Sequence, residues 1–117
     1  MSRDKAALLR EELAGLRGAA QHLRYSWQRS DEVLARDDWD DAALERLESL
    51  ASRFARLADL VRIRELRNLI AHEYAGDKLA EIYRAVARLA PVLLDVVERT
   101  AAYGDDALRR YGRLMGG

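Results

Sequence analysis

The sequence has no cysteine and only one proline, and its charges cancel, with 20 Lys and Arg against 20 Asp and Glu. Without cysteine there is no disulfide framework, no thiolate nucleophile and no thiolate ligand for a metal. The two histidines, His22 and His72, are too far apart in sequence to suggest a dedicated metal site, and nothing calls for a cofactor. A neutral net charge leaves no global field to draw the chain onto nucleic acid, so any contact with phosphate must come from a local cluster. No apolar run is long enough for a signal peptide or a membrane span, so the cytoplasm is the expected location and no membrane partner is expected.

What is present points to helices. Half of the residues are apolar and 34% are charged, a composition rich in Ala, Leu, Glu and Arg that favours helix over strand. At 117 residues the expectation is one helical domain over residues 1–117. Its core would be modest, so association with a partner would add usefully to its stability.

From Asp4 to about Arg36, Leu9, Leu13, Leu16, Ala20, Leu23, Trp27 and Leu34 keep an alternating four-three spacing, with Ser30 filling the missing step. This predicts one long amphipathic helix. Gly15 and Gly18 each cost roughly 1 kcal/mol relative to Ala inside a helix, which suggests a close helix crossing there. Arg24, Tyr25, Trp27 and Arg29 have the makings of an aromatic and basic surface for nucleobases. The competing reading places Trp27 in the core and the arginines on a solvated face.

The acidic run Asp37-Asp38-Trp39-Asp40-Asp41 suits an N-cap and the positive end of a helix dipole, so a second helix is expected from near Asp40. Ala43, Leu47, Leu50, Phe54, Leu57 and Val61 form its apolar stripe. Beyond Val61 the apolar residues become Ile63, Leu66 and Ile70, whose mean direction lies about 160° away. Either the helix breaks near Leu60 to Arg62, or a second surface covers the opposite face. No Gly, Pro or Asn intervenes between Phe54 and Arg67, so local sequence favours continuity while periodicity opposes it.

Gly76 and Asp77 give a helix stop and a helix start. A third helix is expected from Lys78, burying Leu79, Tyr83, Val86, Ala90, Leu93 and Val97. Pro91 should kink it or begin a new first turn. Tyr103-Gly104-Asp105 should close it, leaving a short terminal helix or a frayed end. The expected fold is an all-α, up-and-down bundle of about three long helices plus a short C-terminal one.

The chemistry is concentrated in Arg62-Ile63-Arg64-Glu65-Leu66-Arg67-Asn68-Leu69-Ile70-Ala71-His72-Glu73-Tyr74. On a continuous helix Asn68 and His72 share a face, and so do Arg67 and Tyr74. Arg67 and His72 would lie about 140° apart, converging only at a helix end or across a subunit boundary. Histidine suits proton transfer near neutrality, and arginine binds a phosphodiester and stabilises its growing charge. Together they suffice for metal-free RNA cleavage, in which the ribose 2′-hydroxyl attacks the adjacent phosphate. By spacing alone, ion-paired surface arginines are the commoner explanation of such a pattern in an arginine-rich helix.

The string Arg67-Asn68-Leu69-Ile70-Ala71-His72-Glu73-Tyr74 resembles the R-x4-H-x-Y signature of HepT-type HEPN proteins. The similarity extends to Ile63-Arg64-Glu65-Leu66, to Ala75-Gly76-Asp77, and upstream to Leu23-Arg24-Tyr25-Ser26-Trp27 and Ser52-Arg53-Phe54-Ala55-Arg56-Leu57. The resemblance implies an all-helical toxin that dimerises and builds a composite ribonuclease site from both subunits. Its implied partner is a minimal MNT-type nucleotidyltransferase antitoxin, and its implied substrate is RNA, either tRNA or mRNA. Carried over by position, Arg67 and His72 would be catalytic, Asn68 and Arg64 would support the site, and Tyr74 would receive AMP. One internal helical segment usual in the family is lacking, since Leu60 runs directly into Val61-Arg62-Ile63. If the second and third helices merged into one rod, helices would be exchanged between subunits. Two other readings stay open: a non-catalytic subunit that binds the nucleotidyltransferase, and a shortened, inactive oligomerisation module.

Overall fold

A computed structural model of the chain describes residues 2–62 and 79–114. These residues form α1 (Arg3–Leu34), α2 (Asp41–Leu60) and α3 (Leu79–Leu114), with no strand among them. No helix among the described residues is long and apolar enough to cross a membrane.

The starts of α1 and α2 each follow from a short polar side chain. Ser2 takes an extended conformation, and its hydroxyl accepts the Lys5 backbone N–H at 3.2 Å. At α2, Asp40 does the same for the Ala43 N–H at 2.8 Å, so the acidic run supplies the expected cap. Between the two helices, the Trp39 indole N–H donates to the Val33 carbonyl at 2.9 Å. That carbonyl lies in the last turn of α1 and also accepts the Arg36 N–H at 3.1 Å, so backbone and indole together satisfy a group at the helix end.

The three helices share one core. Leu16, Leu23, Leu50, Phe54, Leu57, Val86, Leu93 and Val97 are buried together, and Val33, Ala43, Leu47, Ala51 and Tyr83 form a second cluster near the α1–α2 turn. Of the expected α1 stripe, Leu13, Leu16, Ala20, Leu23 and Ser30 are buried, while Leu9, Trp27 and Leu34 are half-buried. Ser30 lies in the core because its hydroxyl donates to the Trp27 carbonyl at 2.7 Å, which removes the penalty of burying it. On α3 the stripe is buried from Tyr83 to Val97, but Leu79 is exposed.

Contacts between the described helices set their directions. Arg53 reaches Ser26 and His22 on α1, as expected for an antiparallel α1–α2 hairpin. Trp27 meets Ala87, and Leu13 meets Gly104, so α3 is also antiparallel to α1. Therefore α2 and α3 run parallel, and α2 ends at the opposite end of the unit from where α3 begins. Tyr83 accordingly clusters with Ala43 and Leu47 near the start of α2.

The close of α2 resolves the conflict between continuity and periodicity in favour of periodicity. The helix ends at Leu60, the Val61 N–H bonds the Leu57 carbonyl, and Arg62 adopts a left-handed conformation with φ 61°. A merged rod running on from α2 is thus excluded at this point. The turn is made without glycine, asparagine or proline, which is why no residue type announced it. A left-handed conformation costs a residue with a Cβ roughly 1–2 kcal/mol.

The expected stop at Gly104 does not occur. Helix α3 continues through Pro91 and Gly104 to Leu114, so there is no separate short C-terminal helix among the described residues. Gly104 is buried because α1 approaches it closely: a Cβ there would lie 2.8 Å from a Leu13 methyl. Beside it, Asp105 forms an ion pair with Arg17. Gly15 and Gly18 are the glycines at which the sequence suggests a close crossing, yet a Cβ added at either would meet nothing within 4 Å. The crossing is made by the glycine of α3.

Pro91 begins no new element. Its missing N–H leaves the Ala87 carbonyl, one turn earlier, without its helical donor. The Trp27 indole N–H on α1 supplies a replacement at 3.0 Å.

Candidate functional site

Arg64, Arg67, Asn68, His72 and Tyr74, the residues that carry the expected chemistry, lie outside the described residues. Of the arginine cluster, Arg62 is described: it is exposed in the turn after α2. The chain therefore enters the candidate stretch from the far end of α2 through a left-handed residue.

The second candidate, Arg24, Tyr25, Trp27 and Arg29, is divided by the structure. Successive residues on a helix diverge by about 100°, and these four face different neighbours. Trp27 is half-buried in the α1–α3 contact, fixed by its bond to Ala87. Arg24 faces an open α1–α3 groove of about 450 Å³, whose wall also carries Arg17, Glu98 and Asp105. Tyr25 and Arg29, one turn apart, face α2 instead. The core reading thus holds for Trp27, but the arginines do not form one solvated face.

A groove of about 340 Å³ runs between α1 and α2, lined by Tyr25, Ser26 and Arg29 on one side and by Ala42, Glu45, Arg46, Ser49 and Arg53 on the other. Tyr25 is 55% exposed, a large aromatic surface for a residue beside a buried seam. Two guanidinium groups flank its ring, Arg29 at 5.1 Å and Arg53 at 6.0 Å from the centroid. Arg29 also donates to the Tyr25 hydroxyl. Arg53 is held in place by donating to the Ser26 hydroxyl at 2.6 Å and to the His22 carbonyl at 3.2 Å.

Neither Arg29 nor Arg53 pairs with a carboxylate among the described residues. Arg46 approaches Glu32 only at 4.0 Å, and that glutamate is 75% exposed, so the pair contributes little. The groove can therefore hold an anion against an exposed aromatic face. Sequence reasoning found Tyr25 and Arg29 but missed the α2 half. Arg46, Ser49 and Arg53 follow a three-four spacing beside the apolar stripe, and that spacing was the available signal.

No family model, no curated protein and no solved structure matches the chain.

Proposed function

We propose that this chain is a metal-independent endoribonuclease toxin of the HepT-type HEPN kind. It acts on tRNA or mRNA as a homodimer whose composite site takes Arg67 and His72 from both subunits. Arg67 holds the phosphoryl oxygens, His72 moves the proton, and Asn68 and Arg64 support them. A minimal nucleotidyltransferase neutralises it by transferring AMP to Tyr74: the tyrosine oxygen attacks the α-phosphate of ATP, pyrophosphate leaves, and the hydroxyl proton is released. The added bulk and phosphate charge beside the cleft repel an RNA backbone.

The observation that carries this reading is the run Arg67-Asn68-Leu69-Ile70-Ala71-His72-Glu73-Tyr74, in which arginine, histidine and tyrosine take the family's order and spacing. The all-helical architecture agrees with it.

Incubating the purified protein with total RNA in EDTA, beside Arg67→Ala and His72→Ala, tests the proposal. Cleavage by the unaltered protein alone is expected. Absence of cleavage at every protein concentration refutes it. Modification of Tyr74 by a nucleotidyltransferase, seen by mass spectrometry without any RNA cleavage, favours the non-catalytic subunit instead.

A further inference from the structure

We propose that the α1–α2 groove around Tyr25 is a binding site for single-stranded RNA, separate in sequence from the Arg67–Tyr74 stretch. The groove has the two components that such binding uses, an exposed ring on which a base can stack and cations that follow the phosphate backbone. Tyr25 supplies the ring and is 55% exposed. Arg29, Arg46 and Arg53 supply the charge, against Glu45 as the one acidic residue of the lining.

The cluster differs from an ordinary solvated arginine face in how its cations are held. Arg29 and Arg53 flank the Tyr25 ring at 5.1 and 6.0 Å, and neither is drawn away by a carboxylate among the described residues. Arg53 is also pre-oriented, because its guanidinium bridges Ser26 and the His22 carbonyl from the neighbouring helix. A fixed guanidinium beside an accessible ring loses less freedom on binding than a free surface arginine. Single strands are favoured over duplex because only an unpaired base can turn its face onto Tyr25. The local cluster also overcomes the chain's neutral net charge, which offers no long-range attraction to a polyanion.

The test is fluorescence anisotropy with a labelled 2′-O-methyl RNA of roughly 12 nucleotides, within the usual site size of such grooves. Blocking the 2′-hydroxyl prevents the proposed cleavage, so binding at the groove is read independently of catalysis. Tyr25→Ala and Arg29→Glu are each expected to weaken binding roughly tenfold, whereas Tyr25→Phe, which keeps the ring, should stay within about threefold. Arg29→Ala should lower the slope of log affinity against log salt by about 0.7, the signature of one lost phosphate contact. Arg99→Ala, on the exposed face of α3, should leave affinity unchanged. A duplex of the same sequence should bind more weakly than the single strand.

Failure of the unaltered protein to bind overturns the inference, and so does affinity indifferent to Tyr25→Ala and Arg29→Glu. Binding that depends on Tyr25 in a protein that cleaves no RNA retains the groove and removes the ribonuclease. Cleavage that depends on Arg67 and is unaffected in KM by Arg29→Glu has the opposite meaning.

Discussion

The bond between Trp27 and Ala87 can be tested by a double-mutant cycle with Pro91. Pro91 has no N–H to give the Ala87 carbonyl, and the indole of Trp27 takes its place at 3.0 Å. Replacing Trp27 with Phe removes the donor and leaves that carbonyl partly sheltered and unsatisfied. Such a loss costs about 1–3 kcal/mol, and the half-buried setting places this case near 1 kcal/mol. In a Pro91→Ala protein the residue 91 N–H returns to the carbonyl, so Trp27→Phe then costs only the change in packing. The packing change is common to both backgrounds and cancels in the cycle. Urea unfolding of the four proteins, followed by far-UV circular dichroism, should give a coupling of about 1 kcal/mol. Equal costs of Trp27→Phe in the two backgrounds, within about 0.3–0.5 kcal/mol, would refute the argument.

Other consequences can be checked in the same unfolding assay. Gly15→Ala and Gly18→Ala should each stabilise the protein by about 0.5–1 kcal/mol, since a Cβ at either position meets nothing within 4 Å. Gly104→Ala should lack that gain and destabilise by about 1 kcal/mol, because its Cβ would press on Leu13; a gain as large as at Gly15 contradicts the close crossing. Arg62→Gly should stabilise by about 0.5–1 kcal/mol by relieving the left-handed conformation after α2, and a loss of stability would count against that turn. Phe54→Ala, at the centre of the shared core, should cost about 3–5 kcal/mol.

Much of the fold was legible because it rests on periodicity and short polar caps. The stripes of Leu13 to Leu23 and Leu47 to Leu57, and the acidic cap at Asp40, announced α1 and α2 with their buried faces. The shift of apolar direction beyond Val61 announced the end of α2 although no turn residue marks it. Glycine misled in both directions. Gly104 read as a helix stop because a cap and a close crossing use the same residue, and only the position of Leu13 separates them. The antiparallel α1–α2 hairpin was legible from the short link between the two stripes; the direction of α3 was not, since an apolar stripe packs equally well in parallel and antiparallel orientations, and contacts such as Trp27 with Ala87 decide between them. Of the α1–α2 groove, Tyr25 and Arg29 were visible as neighbours on one helix, but pairing them with Arg53 required the tertiary structure. The residues proposed for catalysis follow from the order and spacing of Arg67, His72 and Tyr74 in the sequence.

The central claim is that Arg67 and His72 cut RNA without a metal by directing the 2′-oxygen onto the adjacent phosphorus, with the 5′-oxygen leaving. End-group analysis of RNA treated with the purified protein in EDTA tests it most directly. Products ending in a 2′,3′-cyclic phosphate and a 5′-hydroxyl, absent with His72→Ala and with Arg67→Ala, are expected. Products carrying a 5′-phosphate, a requirement for added divalent metal, or intact RNA would contradict it.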